Sequence, residues 1–263
     1  MHAPLTRTPH SGYPSKFPSI SLDDALTAEW LEMFYQPIVD LRTGEVAGAE
    51  GLSRARHPEL GLLSPARFLP GASEEALCRL TEFVIVSALK DWESFDQAGF
   101  PIRLSVNAPP SALLNVPIAH IVREHRPQSP NWLGLVLELT EESTLPRSPF
   151  VREIAAQLRN EQVELSLDDY GQGYANSARL RALPFRFLKI DKSFVNGCGT
   201  DPLQTGAVRG IVGMAHGFGC AVIAEGIENA DDLKSMTAMG CEYAQGHLLG
   251  HPMPRAEFLS RLH

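Results

Sequence analysis

Short apolar runs in this sequence repeatedly end in a side chain that can bind a cation or move a proton. The end residues are Glu50, Asn107, Glu138, Asp168 with Asp169, Lys189, Glu225 and Gln245. Such runs, several of them followed by helix-like sequence, predict buried strands of a parallel sheet. If the strands close into a barrel, their C-terminal ends meet at one mouth. Carboxylates gathered there would repel each other unless cations were bound, so we infer a divalent-metal site.

The size and charge of the chain narrow the class of protein. Its 263 residues fit a single (βα)8 barrel, which typically takes about 250 residues. An apolar content of 44% and a charged content of 21% are ordinary for a globular domain. The formal net charge of −8 argues against a general nucleic-acid binder, because phosphates require a basic surface. We therefore expect no DNA or RNA duplex as a partner.

The spacing of the cysteines and histidines indicates which metal could be bound and in which cellular compartment the protein is expected. The four cysteines form no C-x-x-C pair, and the nine histidines form no H-E-x-x-H motif. These spacings speak against zinc and favour oxygen ligands, so we expect Mg²⁺ or Mn²⁺. Scattered cysteines are typical of reduced thiols, and we expect a cytoplasmic protein.

The chain is expected to contain one folded domain behind a short lead-in. No apolar run approaches the ~20 residues that cross a bilayer, so no membrane insertion is predicted. Residues 1–20 are rich in Pro, Ser and Thr, lack a signal-like apolar segment, and are predicted to be a flexible lead-in. Residues 21–263 would form the domain.

The order of elements predicts a modified barrel. Phe34–Asp40 and Ala47–Leu52 are separated by too few residues for a helical crossover, so they should pair antiparallel as a hairpin. The later strands alternate with helices, which predicts parallel pairing, and Tyr243–Leu248 is expected to be the last strand. The fold class is therefore α/β, a modified TIM (β/α)8 barrel with one antiparallel strand; an open doubly wound sheet is the fallback.

Each motif also has a plain structural interpretation. The Asp168–Asp169 pair could be a solvated turn, although it follows a buried run and precedes a Gly-x-Gly loop. Glu138 and Glu141 could be acidic residues at a helix N-terminus. Lys189, within an apolar stretch, could reach the surface from an edge strand, or it could pair with carboxylates at the mouth. Glu225 could be a first-turn helix acid, and Arg54 a surface residue.

Taken together, the set suits hydrolysis of a phosphodiester. Two metal ions ~3.5–4 Å apart can bind both a water and the scissile phosphate, and a carboxylate can accept the proton of the water. Asn107 would add a neutral ligand and limit the negative charge where a phosphate must enter.

Several motifs in sequence order resemble those of EAL-domain cyclic di-GMP phosphodiesterases. They are YQPIVD at 35–40, EGLSR at 50–54, HPE at 57–59, ELTE at 138–141, DDYG at 168–171, KID at 189–191, AEGIE at 224–228 and QG at 245–246. The resemblance runs from about Leu31 to the C-terminus, and the number of motifs makes it highly specific.

The resemblance implies cleavage of cyclic di-GMP to linear pGpG, with Mg²⁺ or Mn²⁺ as cofactor and a homodimer as the assembly. It also implies roles for residues at matching positions. Ligands of one metal would be Glu50, Asn107, Glu138 and Asp168, and ligands of the second would be Asp168, Asp169 and Glu225. Glu225 would be the general base, Lys189 would position the water, and Glu141 would anchor the loop that follows Asp168. Substrate contacts would be Gln36, Leu52, Arg54, Asp191 and Gln245, with Glu50 and Asp169 counted among the catalytic residues.

The chain departs from the family pattern at a few positions. Gly51 stands where Ala is usual, and its side chain should point away from the mouth. Pro109, Gln172 and His247 replace the commoner Ser, Thr and Tyr. These departures bear on regulation and loop dynamics more than on metal binding.

Three functions remain open on the sequence. The complete ligand set favours an active phosphodiesterase. A catalytically silent cyclic di-GMP receptor is the alternative, and a protein-interaction module that no longer uses the nucleotide is the third.

Overall fold

The computed structural model describes residues 19–140, 149–171, 180–181 and 183–262. Residues 1–18 of the predicted lead-in, the predicted loop anchor Glu141, and Gln172 lie outside these described residues.

Ten strands and their helices follow one another through the described residues. The strands are β1 Leu31–Asp40, β2 Val46–His57, β3 Gly61–Leu63, β4 Arg103–Asn107, β5 Leu135–Thr140, β6 Val163–Tyr170, β7 Phe185–Ile190, β8 Ala221–Ala224, β9 Tyr243–Ala244 and β10 Met253–Pro254. The helices are Leu22–Thr27, Glu74–Gln97, Ala112–Asn115, Ile118–His125, Pro149–Asn160, Lys192–Val195, Pro202–Gly217, Ala230–Ala238 and Arg255–Leu262, with a 3-10 turn at Pro65–Arg67.

Within the described part of the chain, eight strands close into a barrel in the order β1-β2-β4-β5-β6-β7-β8-β9 and back to β1. β1 runs antiparallel to both of its neighbours, β2 and β9, whereas the pairs from β2 through β9 are parallel. The hairpin has this orientation because only a few residues join β1 to β2, and they cannot cross the barrel. The modified TIM barrel with one antiparallel strand is confirmed, and the open sheet is excluded.

Strand pairing brings the predicted site residues to one height at one mouth. Glu50 pairs with Gln36 across the hairpin, and Asn107 pairs with Glu138. Ile190 pairs with Ala224, which places Lys189 and Glu225 near the ends of adjacent strands. Because side chains alternate along a strand, every second residue below these positions also points into the barrel.

One strand prediction is wrong and two strands were missed. β9 ends at Ala244 rather than at Leu248, because the chain turns there: the Ile227 N–H donates to the Gln245 carbonyl and the Leu248 N–H donates to the Ile227 carbonyl. β9 is also not the last strand, since β10 pairs with β1 beyond it. β3 and β10 have three and two residues, too short to show a periodic pattern.

The helical boundaries follow local chemistry. Ser21 caps the first helix by accepting a hydrogen bond from the Asp24 N–H at 3.0 Å, as its sequence predicts. Pro117 separates the helices Ala112–Asn115 and Ile118–His125, because proline has no N–H to continue the helical ladder. Among the described helices, none combines the length and apolar character needed to cross a bilayer.

Two glycines near the mouth differ in how much space their surroundings leave for a side chain. A Cβ on Gly246 would lie 2.2 Å from the backbone N and O of Ile227. A Cβ on Gly51 would lie 2.8 Å from the Met33 methyl, the end of a flexible side chain, and 3.3 Å from its next neighbours. The Gly51 position therefore faces Met33 and Val106 outside the barrel, as the sequence predicts.

We expect Gly246→Ala to lower the free energy of unfolding by roughly 1–3 kcal/mol, because backbone must move to admit the methyl group. The matched change Gly51→Ala should stay within about 1 kcal/mol of the wild-type protein, since Met33 can shift. Urea unfolding of both variants measures this. Equal losses in the two variants would contradict the difference in packing.

Candidate active site

A buried lysine lies at the centre of the barrel mouth and contacts carboxylates from four other strands or strand ends. Lys189 is 1% exposed, and its Nζ lies 2.7 Å from Glu138 Oε2 and 2.7 Å from Glu225 Oε1. The same atom lies 3.1 Å from Asp168 Oδ1 and 3.3 Å from Glu50 Oε2. A lysine this deep is stable only when it is paired, so the snorkelling interpretation does not apply.

Amide side chains hold Glu50 in place. Asn107 Nδ2 donates to Glu50 Oε1 at 2.6 Å, and Gln245 Nε2 donates to Glu50 Oε2 at 2.7 Å. Gln245 Nε2 also lies 3.1 Å from Gln36 Oε1, and Gln36 Nε2 donates to the Gly250 carbonyl at 3.0 Å. This chain of hydrogen bonds fixes the carboxylate of Glu50 with little freedom to rotate.

The Asp168–Asp169 pair turns at the end of β6 so that both carboxylates reach one place. Asp169 has φ +53°, in the left-handed region, and the pairing of β6 with β7 shifts register between Leu167 and Tyr170. Without that local turn, neighbouring side chains would face opposite sides of the strand. One oxygen each of Asp168, Asp169 and Glu225 lies within 4.8 Å of the others. The predicted convergence is confirmed.

The pKa values of three carboxyl groups in the cluster are raised by burial and by the neighbouring carboxylates. Burial and the charge of Asp168 raise the pKa of Asp169 to about 6. Burial raises the pKa of Glu225 to about 8 even though Lys189 lowers it. Burial and the charge of Glu50 also raise the pKa of Glu138 well above its usual range. Each shift means that the charged form lacks solvation or a partner.

The pKa shifts of Lys189 and Glu50, in contrast, favour the charged form of each side chain. Burial alone would lower the pKa of Lys189, but the surrounding carboxylates, Asp168 and Glu138 first, raise it well above its ordinary value. Burial raises the pKa of Glu50, yet Lys189 and the hydrogen bonds from Gln245 and Asn107 bring it below its ordinary value. Lys189 and Glu50 are therefore both charged at neutral pH.

These residues fit divalent cations. Glu138 Oε1 is buried without a hydrogen-bond partner among the described residues, and Asp168 Oδ1 has an ion-pair contact but no aligned hydrogen bond. The cluster offers five carboxylates, Glu50, Glu138, Asp168, Asp169 and Glu225, against one ammonium group. If all are ionised, four negative charges remain, which two divalent cations would neutralise. An all-oxygen donor set favours Mg²⁺ or Mn²⁺.

A cavity of about 210 Å³ opens above the cluster. Its walls include the predicted residues Gln36, Glu50, Leu52, Glu225 and Gln245. They also include Lys192, Glu228 and His247, which were not predicted as site residues. Lys192 has the appearance of an ordinary exposed residue in the first turn of a helix, and no local pattern distinguishes it.

The remaining predicted contacts lie at or beside this mouth. Arg54 Nη1 donates to the Ser53 carbonyl at 2.8 Å, and its guanidinium lies 5.7 Å from the centre of the Phe34 ring. Asp191 is buried and caps the helix Lys192–Val195 by accepting from the Ser193 N–H at 2.9 Å. His247, which was not among the predicted contacts, also lies here, and its ring is tilted against that of His251 with centroids 4.1 Å apart.

Known proteins resemble this chain over most of its length. Residues 20–252 match the model of the EAL domain. Cyclic di-GMP phosphodiesterase PA2567 of Pseudomonas aeruginosa is 34% identical over 89% of the chain, and cyclic di-GMP phosphodiesterase RocR of the same species is 32% identical over 87%. The chain spans 40% of the length of the first relative and 59% of the second.

A solved structure has the same fold. The PaMucR phosphodiesterase, in complex with c-di-GMP, superposes with a TM-score of 0.79 and 31% identity, covering 90% of this chain and 97% of its own.

Removing the ammonium group of Lys189 should leave the surrounding carboxylates without a positively charged partner. We expect Lys189→Met in a chelating buffer to lower the free energy of unfolding by about 3–5 kcal/mol, the usual effect of breaking a buried ion pair. Added Mn²⁺ should restore part of that loss. The exposed Lys234→Met is the matched control and should change little. A loss in Lys189→Met as small as in the control would contradict the central role of the ammonium group.

The raised pKa of Glu225 predicts how stability depends on pH. Its folded value of about 8 exceeds the unfolded value of about 4.3, so the folded protein binds the extra proton between them. Without metal, the free energy of unfolding of the wild-type protein should fall relative to Glu225→Gln as pH rises from about 4.3 to 8, and level off above. Urea unfolding of both proteins in chelator measures the difference, and parallel pH profiles would contradict it.

Proposed function

The chain belongs to the EAL-domain family, and on that premise we propose that it is a metal-dependent phosphodiesterase that hydrolyses cyclic di-GMP to linear pGpG. One observation carries the proposal: Lys189 Nζ lies within 2.7–3.3 Å of four carboxylates around a mouth that can hold divalent cations. The names of the relatives support the choice of substrate.

Glu50, Asn107, Glu138 and Asp168 would hold one cation, and Asp168, Asp169 and Glu225 would hold the second. Bound cations would supply positive charge to the phosphate and lower the pKa of a water. The excess of four negative charges over the cluster's own ammonium supports two ions.

The chain's own residues would perform the remaining steps. Glu225 would take the proton of the attacking water, because its carboxylate lies beside Asp168 and Asp169 at the mouth. Lys189 would hold the water in line with the phosphorus atom and limit repulsion between the water and the carboxylates. The hydrogen bonds of Asn107 and Gln245 to Glu50 would keep that carboxylate oriented throughout.

The cavity above the cluster would hold the substrate. Arg54 would donate to a phosphate oxygen, Leu52 would pack against a base, and Gln36 and Gln245 would provide polar contacts. Asp191 is proposed as a further substrate contact. Glu141 is proposed to anchor the loop after Asp168, and a homodimer remains a prediction from the family.

Product analysis tests the activity directly. We expect the protein to convert cyclic di-GMP to pGpG with Mn²⁺ or Mg²⁺ and to form no product with chelator. Tight binding without hydrolysis would instead support a silent receptor, and no binding at all in the presence of metal would support an interaction module.

A variant pair tests the assignment of the site. Glu50→Gln keeps the shape but removes the charge of a proposed ligand, so kcat should fall by about 10²-fold or more while the fold is retained. Glu45→Gln makes the same change at an exposed turn and should match the wild-type rate. Comparable rates for Glu50→Gln and the wild-type protein would contradict the assignment.

A further inference from the structure

A layer of side chains fills the barrel beneath the active site. Residues two positions before the site residues on the parallel strands point the same way. Those on β5, β7 and β8 are the buried apolar Val136, Phe187 and Ile223, which pack together with Ile38 of β1. The residues on β2, β4 and β6 are small: Gly48, Ser105 and Ser166. Barrel interiors are normally filled by bulky branched residues, so small residues on three strands leave space.

This space is a cavity of about 250 Å³. It is lined by the inward residues of the layer, and Glu138 borders its inner end. Arg103, Leu133 and Arg186 line it where the parallel strands begin. The cavity therefore opens at the end of the barrel opposite the active site, and we call it the lower pocket.

The lower pocket contains two buried serine hydroxyls without a hydrogen-bond partner among the described residues. Ser166 is fully buried and Ser105 is 4% exposed, yet neither hydroxyl has a hydrogen-bond partner among the described residues. Buried hydroxyls are normally paired, because leaving one unpaired costs about 1–3 kcal/mol. Two such groups in one cavity give it the capacity to hydrogen-bond a polar ligand.

The opening carries positive charge beside aromatic rings. Arg103 and Arg186 both form ion pairs with Glu164, so the three side chains leave one net positive charge. Each guanidinium lies 5.7 Å from the centre of the Phe187 ring, and Phe187 packs edge-on against Tyr243 at 6.1 Å. Charge and aromatic surface thus lie together on one wall.

We propose that the lower pocket binds a small organic monoanion with a flat apolar body. Its anionic group would accept hydrogen bonds from the guanidiniums of Arg103 and Arg186, and its one negative charge would balance the net charge of Arg103, Arg186 and Glu164. Its body would pack against Phe187, Ile38 and Ile223, and a polar substituent would reach Ser105 or Ser166. The active site at the other mouth is lined by carboxylates and would not accept such a ligand without metal.

Benzoate is the probe for this class of ligand. Titration of the full chain in chelating buffer, followed by calorimetry or NMR, should give saturable binding of benzoate. Benzyl alcohol has the same ring without the charge, and inorganic phosphate has charge without the ring. Both should bind at least about tenfold more weakly, because each lacks one of the two contacts.

Three variants locate the binding. Arg186→Met should weaken benzoate about tenfold by removing a charge-assisted contact, and Ser166→Val should weaken it by filling the cavity. Arg54→Met makes the same change as Arg186→Met at the other mouth and should leave benzoate binding unchanged. If Ser166→Val fails to fold, Ser105→Val replaces it.

Some results would overturn the proposal. If none of the three probes binds, the pocket holds only water. If phosphate binds as well as benzoate, or if Arg54→Met rather than Arg186→Met weakens binding, the anion site lies elsewhere on the surface.

Discussion

The mouth of this barrel depends on one ammonium group placed among carboxylates. Lys189 Nζ contacts Glu50, Glu138, Asp168 and Glu225, and each of these side chains comes from a different part of the chain. Burial, together with more carboxylates than this single positive charge can neutralise, raises the pKa values of Glu138, Asp169 and Glu225. The same imbalance is what a divalent cation at this mouth would relieve.

The two ends of the barrel have opposite chemistry. The upper mouth collects carboxylates and amides, whereas the lower pocket is bordered by Arg103 and Arg186, which share Glu164 as their ion-pair partner. Glu138 lies between them, because one of its oxygens contacts Lys189 and the residue also borders the lower pocket. A barrel interior with small residues in its middle layer can therefore present two separate cavities on one set of strands.

The strand ends and the barrel could be predicted because they depend on local patterns. Each buried strand is a short apolar run, and the polar residue that ends it marks the mouth. The hairpin of β1 and β2 followed from the short connection between them, and the family motifs assigned roles to the end residues. Boundaries were less accurate where the backbone forms contacts that no periodicity reports, as at Gly246, where the chain turns against Ile227.

The sequence by itself determined which residues gather at the mouth, because the local pattern of apolar runs predicts where each strand lies and where it ends. Only the tertiary structure decided that Asp169 reaches the site through a backbone with φ +53°, and that Lys192 joins the cavity wall. It also decided that Gly48, Ser105 and Ser166, on three separate strands, leave a common space. The physical reason is that charge balance and cavities arise from distances between side chains remote in sequence, which barrel closure alone sets.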